Sequence, residues 1–420
     1  MKRLLALALI LVFFVGACAR EKKPPNLVLI TVDTLRPDRL GYHGNKRPVS
    51  PALDRLAAEG VVFTNATSVS GWTLPSVASI FTGRYPKDHG AVDFHWSLDA
   101  SLPILPRILR DHGYDTYGFV SHIMLTPTYG IGDGFAHFDF SVLNVGHPHE
   151  VMTSQKLMEI ARSGMRNLKE PYFVWVHFFD PHFAYLEHPQ YAFGKSDIDR
   201  YDAEIAYTDY YIDELLKVTD RGNTVVVFTS DHGEEFGEHD GQYHYTLHGE
   251  VTRVPLVVKA PGLAPRQDAR VVEQIDFLPT ILNLLGIEAP AGLPGADFLA
   301  PATAARPFFL ERDRPPQWRQ RSIVVGEHKL IVIEEADTSL VPESSRREEI
   351  PVTNVRPGMY LYHLARDPGE KTNLFARDDS TSLSLLGMLT THFATASARP
   401  QPVQVDQELL EKLRSLGYVR

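Results

Sequence analysis

The sequence predicts a doubly wound α/β fold: a mainly parallel sheet with helices on both faces, then a smaller C-terminal antiparallel sheet and a terminal helix. Three observations carry that expectation. Residues 26–33 (NLVLITVD), 171–180 (PYFVWVHFFD) and 223–231 (NTVVVFTSD) are nearly unbroken apolar, β-rich runs, as expected of strands covered on both sides. Stretches of helical length alternate with them. Each run also ends in an aspartate, Asp33, Asp180 or Asp231, and open α/β sheets bind ligands beyond the carboxyl ends of their strands.

Taken in order, helices are expected over 50–59 (SPALDRLAAE), 75–81, 102–111 and 199–218, a further buried strand over 254–260 (VPLVVKA) before the turn PG, and a helix over 275–285. Beyond about residue 305 the texture changes. Residues 322–334 and 359–363 read as strands of the smaller sheet, separated by the polar stretch SLVPESSRREEIPV, an exposed loop. An amphipathic helix over 406–416 closes the chain. The expected division is a main domain over 26–305 and a C-terminal subdomain over 306–420.

Of the 420 residues 44% are apolar and 22% charged, and the formal net charge is −10. That is ordinary for a globular protein with one large core or two smaller ones. No long basic run supplies the footprint that nucleic-acid binding requires, so nucleic acid is not an expected partner.

The N-terminus has the layout of an export signal: Met1, Lys2 and Arg3, an apolar run over 4–17, then VGAC ending at Cys18. The run falls short of the ~20 apolar residues that span a bilayer. VGAC resembles the lipobox of bacterial lipoproteins, and Cys18 is the only cysteine in the chain, so Cys18 is the expected lipidation site. An ordinary signal peptide with an incidental cysteine is the alternative. The expectation is a signal peptide over 1–17, a polar tether over 18–25, and a protein exported and held on the membrane by its N-terminal lipid, facing the periplasm or the cell exterior.

The densest polar constellation, SDHGEEFGEHDGQYHYTLHGE over 230–250, holds His232, His239, His244 and His248 with Asp231, Glu234 and Glu235 directly behind a buried run. An Asp-His pair at a strand end suits zinc or a transition metal. A single aspartate after a strand is usually a cap or turn residue; three in equivalent places suggest one crevice, although they lie about 150 and 50 residues apart. In SGWTLPSVASIFTG, over 70–83, Pro75 belongs in the first turn of a helix. Thr73 therefore sits near the N-cap, where the dipole and free amides favour an anion. Taken alone, Thr73 reads as a simple cap.

The order NLVLITVDTLRPD, WTLPS, FTGRYPKDHG, HFFDPH, FTSDHGEEFGEH and RVPLVVKAPG, closed by LYHLARDPGEKTNL, resembles the sulfatases and sulfatase-like hydrolases and transferases of the alkaline phosphatase superfamily. The resemblance covers roughly residues 26–420. It implies an alkaline-phosphatase-like fold and a divalent metal held by Asp33, Thr73, Asp231 and His232, with Thr73 the nucleophile. It places His182 against the transferred group and matches His244, or alternatively His248, to a later residue with the same contact.

The departures matter as much. Formylglycine-forming sulfatases carry C/S-x-P-S-R; here TLPSV puts Thr73 at the modified position and Val77 in place of arginine. Oxidising a threonine carbinol gives a ketone, so formylglycine cannot form. The pattern G-K-W-H is replaced by GFVSH over 118–122, and the second aspartate of the family's DD pair is Thr34. Threonine nucleophiles in this superfamily belong to phosphodiesterases and phosphoryl-group transferases. The expectation is therefore an anionic ester substrate, small molecule, lipid or glycan, cleaved or transferred at phosphorus through Thr73. Sulfuric ester hydrolysis without formylglycine and a non-catalytic metal-binding lipoprotein are the alternatives. The ligand set favours Mn²⁺ or Zn²⁺ and tolerates Ca²⁺ or Mg²⁺. One ion is expected rather than two, although Asp180 and His248, with His182 or His244, are candidates for a second metal or a substrate contact. Arg36, Arg84 and His89 lie near the motifs and have structural roles open to them.

Overall fold

The structure, a computed structural model, describes residues 23–144, 146, 150–301, 306–314, 318–335, 355–395, 398–399, 401–403 and 407–415. The signal peptide, Cys18, most of the tether and the polar loop expected within 336–354 lie outside the described residues. Among the described residues, no helix is long and apolar enough to cross a membrane.

Eight strands form the main sheet: β1 (Asn26–Val32), β2 (Val61–Thr67), β3 (Asp115–Val120), β4 (His137–Asp139), β5 (Tyr172–Phe178), β6 (Thr224–Ser230), β7 (Arg253–Lys259) and β8 (Arg266–Glu273). Their order is β8-β2-β7-β6-β1-β5-β3-β4. From β6 to β4 all neighbours run parallel, whereas β7 is antiparallel to both β6 and β2. Every residue of β1, β5 and β6 is buried, because both faces are covered. Leu27, Leu29, Phe173, Trp175, Val225 and Val227 face one core and Val28, Ile30, Val174, Val176, Val226 and Phe228 the other. The period-two pleat thus feeds two cores from the same strands.

On the first face lie α1 (Pro51–Glu59)'s counterpart helices, chiefly the one over Thr73–Thr82; α1 itself lies on the second face through Leu53 and Leu56. We name the helices in order: α2 (Thr73–Thr82), α3 (Leu105–Asp111), α4 (Ser154–Gly164), α5 (Asp197–Thr219), α6 (Gly249–Thr252), α7 (Phe277–Leu284), α8 (Ser380–Phe393) and α9 (Gln407–Ser415). The sequence expectation started α3 at residue 102; Pro103 disfavours helical geometry at Leu102, and the helix begins three residues later. Helix α2 starts two residues earlier than expected, so Thr73 is its first residue and Pro75 its third, which the missing amide tolerates because first-turn N–H groups have no intrahelical acceptor. It ends at Gly83, whose φ of 64° is left-handed and suits glycine.

The C-terminal sheet has four antiparallel strands in sequence order, β9 (Phe308–Arg314), β10 (Trp318–Val325), β11 (His328–Glu335) and β12 (Gly358–His363). The stretch expected as one strand over 322–334 is instead parts of two, folded back at Gly326 with φ 57°. Helix α8, not anticipated from the sequence, covers this sheet through Leu385 and Leu389.

His89 braces α2 from below: its Nε2 lies 3.0 Å from Ser79 Oγ and 3.2 Å from the Pro75 carbonyl oxygen, and its Nδ1 accepts from the Ala91 amide. Full burial pushes its pKa from 6.5 down to about 3. The folded protein therefore keeps His89 neutral where the unfolded chain protonates it, so its contribution is complete above pH 6.5 and is lost as pH falls toward 3. His89→Gln is expected to reduce the slope of unfolding free energy against pH by up to about 1.4 kcal/mol per pH unit within that window, measured by denaturant unfolding across pH. An unchanged slope contradicts this assignment.

Candidate active site

Strand register decides which expected residues meet. Val32 is level with Phe178 on β5 and with Ser230 on β6, so Asp33 and Asp231 emerge side by side, and Phe179 is the residue level with them on the third strand. Asp180 is one pleat further and turns to the opposite face. There it accepts from the amides of Thr153 (3.1 Å) and Ser154 (2.8 Å) and from both their hydroxyls (3.1 and 2.6 Å). That is a cap on the start of α4, so two of the three aspartates converge and Asp180 serves the scaffold.

Asp231 Oδ1 accepts from the amides of Thr34 (3.1 Å) and His232 (2.8 Å). Its Oδ2 and both oxygens of Asp33 are buried and, among the described residues, make no hydrogen bond. Thr34 adopts φ 52°, a conformation costly for a β-branched residue and typical of functional turns. Tyr201 holds that turn by donating to the Thr34 carbonyl (2.6 Å). Gln274 braces the other side, donating to the Asp231 carbonyl (2.6 Å) and accepting from the Val69 amide just ahead of α2.

Thr73 caps nothing: Trp72 is the N-cap, and no side chain caps α2. The Thr73 hydroxyl instead lies 3.3 Å from His232 Nε2. His232 Nδ1 is 3.0 Å from the Gly233 carbonyl, so Nδ1 carries the hydrogen and Nε2 presents its lone pair to Thr73 and to Asp33 Oδ1, 3.8 Å away. Burial keeps His232 below the usual imidazole range, and burial, then Asp231 and Glu234, hold the Asp33 carboxyl well above the usual carboxylate range. Carboxylates pressed together without compensation and a neutral imidazole with a fixed tautomer fit a divalent cation, whose charge offsets their repulsion. Asp33, Thr73, Asp231 and His232 are the residues that could hold it.

The structure also separates His244 from His248. The His244 ring lies 4.7 Å from that of His232 and 5.2 Å from that of His182, and its Nδ1 is 3.3 Å from Glu234 Oε1. His182 stacks on Phe179 at 4.6 Å, with Nδ1 2.6 Å from the Phe183 carbonyl. His248 belongs elsewhere, against His239 and Tyr362. Arg36 is spent on Asp38, Glu238 and the Glu234 carbonyl.

Three residues escaped the sequence reading. His177 Nε2 and His122 Nε2 lie 3.6 and 3.7 Å from Asp33 Oδ2. Thr31 Oγ accepts from Trp175 Nε1 (3.0 Å) and is 2.9 Å from His177 Nδ1, and ligand atoms of Asp33, His177 and Asp231 lie within 4.8 Å of one another, so His177 also fits the cation. Arg312 of β9 is buried with its guanidinium 5.5 Å from the Trp72 ring and 5.1 Å from that of Tyr245, neighbours of Thr73 and His244. It is also one cause of the lowered His232 pKa. Val77, where the family pattern has arginine, is fully buried in the core, and cationic character reaches the site from the small sheet instead.

A sheet with this topology and a site at its strand ends define an alkaline-phosphatase-like hydrolase fold. The chain belongs to the sulfatase family, whose profile, named Sulfatase, matches residues 25–287. An ulvan-active sulfatase of Formosa agariphila is 29% identical over 330 residues, spanning 66% of this chain and 65% of that protein. A Δ4,5-hexuronate-2-O-sulfatase of Bacteroides thetaiotaomicron is 24% identical over 444 residues, 87% of this chain and 88% of that one. The crystal structure of the phosphonate monoester hydrolase of Agrobacterium radiobacter superposes with a TM-score of 0.69 at 20% identity, covering 91% of this chain and 98% of that chain.

Asp33→Asn and Asp231→Asn are each expected to lower divalent-metal affinity by at least the roughly 100-fold that losing an outer-shell partner can cost. Asp180→Asn should leave affinity unchanged while destabilising the fold by about 0.5–2 kcal/mol through the lost cap. Metal titration of chelator-stripped protein, with thermal unfolding alongside, separates the cases.

Proposed function

We propose that this protein is a metal-dependent hydrolase or transferase of anionic phosphoryl or phosphonate esters, with Thr73 Oγ as nucleophile. One observation carries the reading: the Thr73 hydroxyl, at the first position of α2, faces His232 Nε2 between two buried carboxylates and serves no capping role. A scaffold gains nothing from that placement. When bound, the divalent ion supplies positive charge that lowers the hydroxyl pKa and offsets charge on a non-bridging oxygen.

In this reading Thr73 gives up its hydroxyl proton to solvent and its Oγ attacks phosphorus, forming the Oγ–P bond as the bond from phosphorus to the ester oxygen breaks. The departing oxygen takes a proton from His182 or His244, which donates in its imidazolium form and is left neutral. Water, or an acceptor alcohol, then attacks phosphorus, passing its proton to that imidazole, and the Oγ–P bond breaks to free Thr73. Both imidazoles are oriented through Nδ1, His182 by the Phe183 carbonyl and His244 by Glu234. The amide dipoles of α2 favour developing negative charge at Thr73, and Arg312 adds a cation at the site's edge. The structural neighbour is a phosphonate monoester hydrolase, which supports the substrate class. The same reading includes export and lipid attachment at Cys18.

The sulfatases among its relatives favour a second reading, direct hydrolysis of sulfate esters, including those of glycans, through Thr73. Assay of metal-loaded protein on aryl phosphomonoester, phosphodiester, phosphonate ester and sulfate ester substrates decides between them. The expected result is preference for a phosphoryl or phosphonate ester, reduced at least roughly 10³-fold by Thr73→Ala with bound metal retained. Dominant sulfate release establishes the second reading, and no Thr73-dependent turnover of any ester supports a binding role.

A further inference from the structure

A second group of metal-competent side chains lies on the loop between β6 and β7, apart from the Thr73 centre: Glu235, His239 and His248, whose ligand atoms all fall within 4.8 Å of one another. Glu235 is 1% exposed, and among the described residues neither of its oxygens makes a hydrogen bond. His248 Nδ1 is likewise buried without a hydrogen-bond partner there and lies 4.0 Å from Glu235 Oε1. A buried carboxylate beside a buried imidazole nitrogen, neither satisfied, is costly unless something bridges them. Burial raises the Glu235 pKa to about 7 and holds His248 well below the imidazole range, the neutral form a metal ligand needs.

The outer partners fix which nitrogens are available. His239 Nε2 is 3.1 Å from Glu250 Oε2, and His248 Nε2 is 3.3 Å from the Tyr362 hydroxyl. Each ring is thus tied at Nε2, the arrangement by which carboxylates and hydroxyls orient ligating histidines, and each offers Nδ1. The rings lie parallel with centroids 3.6 Å apart. Gly241 completes the enclosure: a Cβ there would stand 2.9 Å from Glu235 Oε2. Glu235 also lines a cleft of about 470 Å³ with Tyr185, Phe236 and Tyr243.

We propose that Glu235, His239 and His248 form a second divalent-cation site whose donor set, one carboxylate and two imidazoles, selects zinc over calcium or magnesium. Tetrahedral zinc about 2.0–2.1 Å from each ligand requires the stacked His239 and His248 rings to rotate out of parallel, so that both in-plane lone pairs meet the ion, and the three side chains to draw in by roughly 1 Å. Such an ion ties the loop bearing His232 and His244 to β12 through His248 and Tyr362, so its role is to hold the active-site loop against the C-terminal sheet. This inference does not depend on what Thr73 attacks.

The test is a zinc(II) titration of the chelator-stripped full chain, with metal content and thermal unfolding measured in parallel. Wild type is expected to bind two zinc ions per chain. Asp231→Asn should bind one, and the Glu235→Gln, His248→Gln double variant should also bind one. Zinc should raise the melting temperature of Asp231→Asn through the second site. A wild type that binds a single ion which the double variant keeps overturns the proposal. Should the double variant misfold, Glu235→Gln alone, checked by circular dichroism, must still lose one equivalent; retention of both ions in the folded single variant overturns the proposal equally.

Discussion

The structure depends on one electrostatic constraint: Asp33 and Asp231 are driven together at the ends of adjacent parallel strands, fully buried, by a register set far below them. The apolar pleats of β1 and β6 cannot slip by a residue without exchanging their two cores, so the carboxylates cannot move apart. Two anions in a dry site repel strongly and call for a cation. The surroundings serve that need: the left-handed turn at Thr34 aims an amide at Asp231, the Gly233 carbonyl sets the His232 tautomer, and His177 and His122 stand behind Asp33.

The placement of the Thr73 hydroxyl follows from the same geometry. Helix α2 is buried along its whole length and clamped at both ends, by Gln274 and Val69 ahead of it and by Gly83 behind. Its first hydroxyl is delivered to His232 by packing rather than by its own hydrogen bonding. The C-terminal sheet is more than a cover, since β9 brings Arg312 to Trp72 and Tyr245, and β12 brings Tyr362 to His248. Val77, at the family pattern's arginine position, is fully buried in apolar surroundings.

Much of this was legible in the sequence, and the failures have physical causes. The strands ending in Asp33 and Asp231 could be read because burial on both faces leaves continuous apolar runs. Asp180 was grouped with them because it also follows such a run; the run continues one residue past the pleat that meets Asp33, and sequence does not display that parity. His177 lay hidden inside an apolar run, where the signal was the polar residue itself at a position facing a threonine on β1. Arg312 sits in FFLERDR, whose charges read as surface although the strand is clamped between two layers. The pair β10 and β11 was read as one strand because Gly326 interrupts the pattern only briefly. His244 and His248, four residues apart in sequence, could be told apart only by their ring neighbours.

The central claim is that Thr73 becomes covalently attached to the group it transfers. Its most direct test is acid quenching of the metal-loaded protein during turnover of the best phosphoryl or phosphonate ester, followed by mass spectrometry of the peptide spanning Thr73. The account predicts a transient adduct of the transferred group on Thr73, formed at the rate of leaving-group release and absent from Thr73→Ala. A peptide that stays unmodified throughout rapid turnover, or an adduct on another residue, contradicts it.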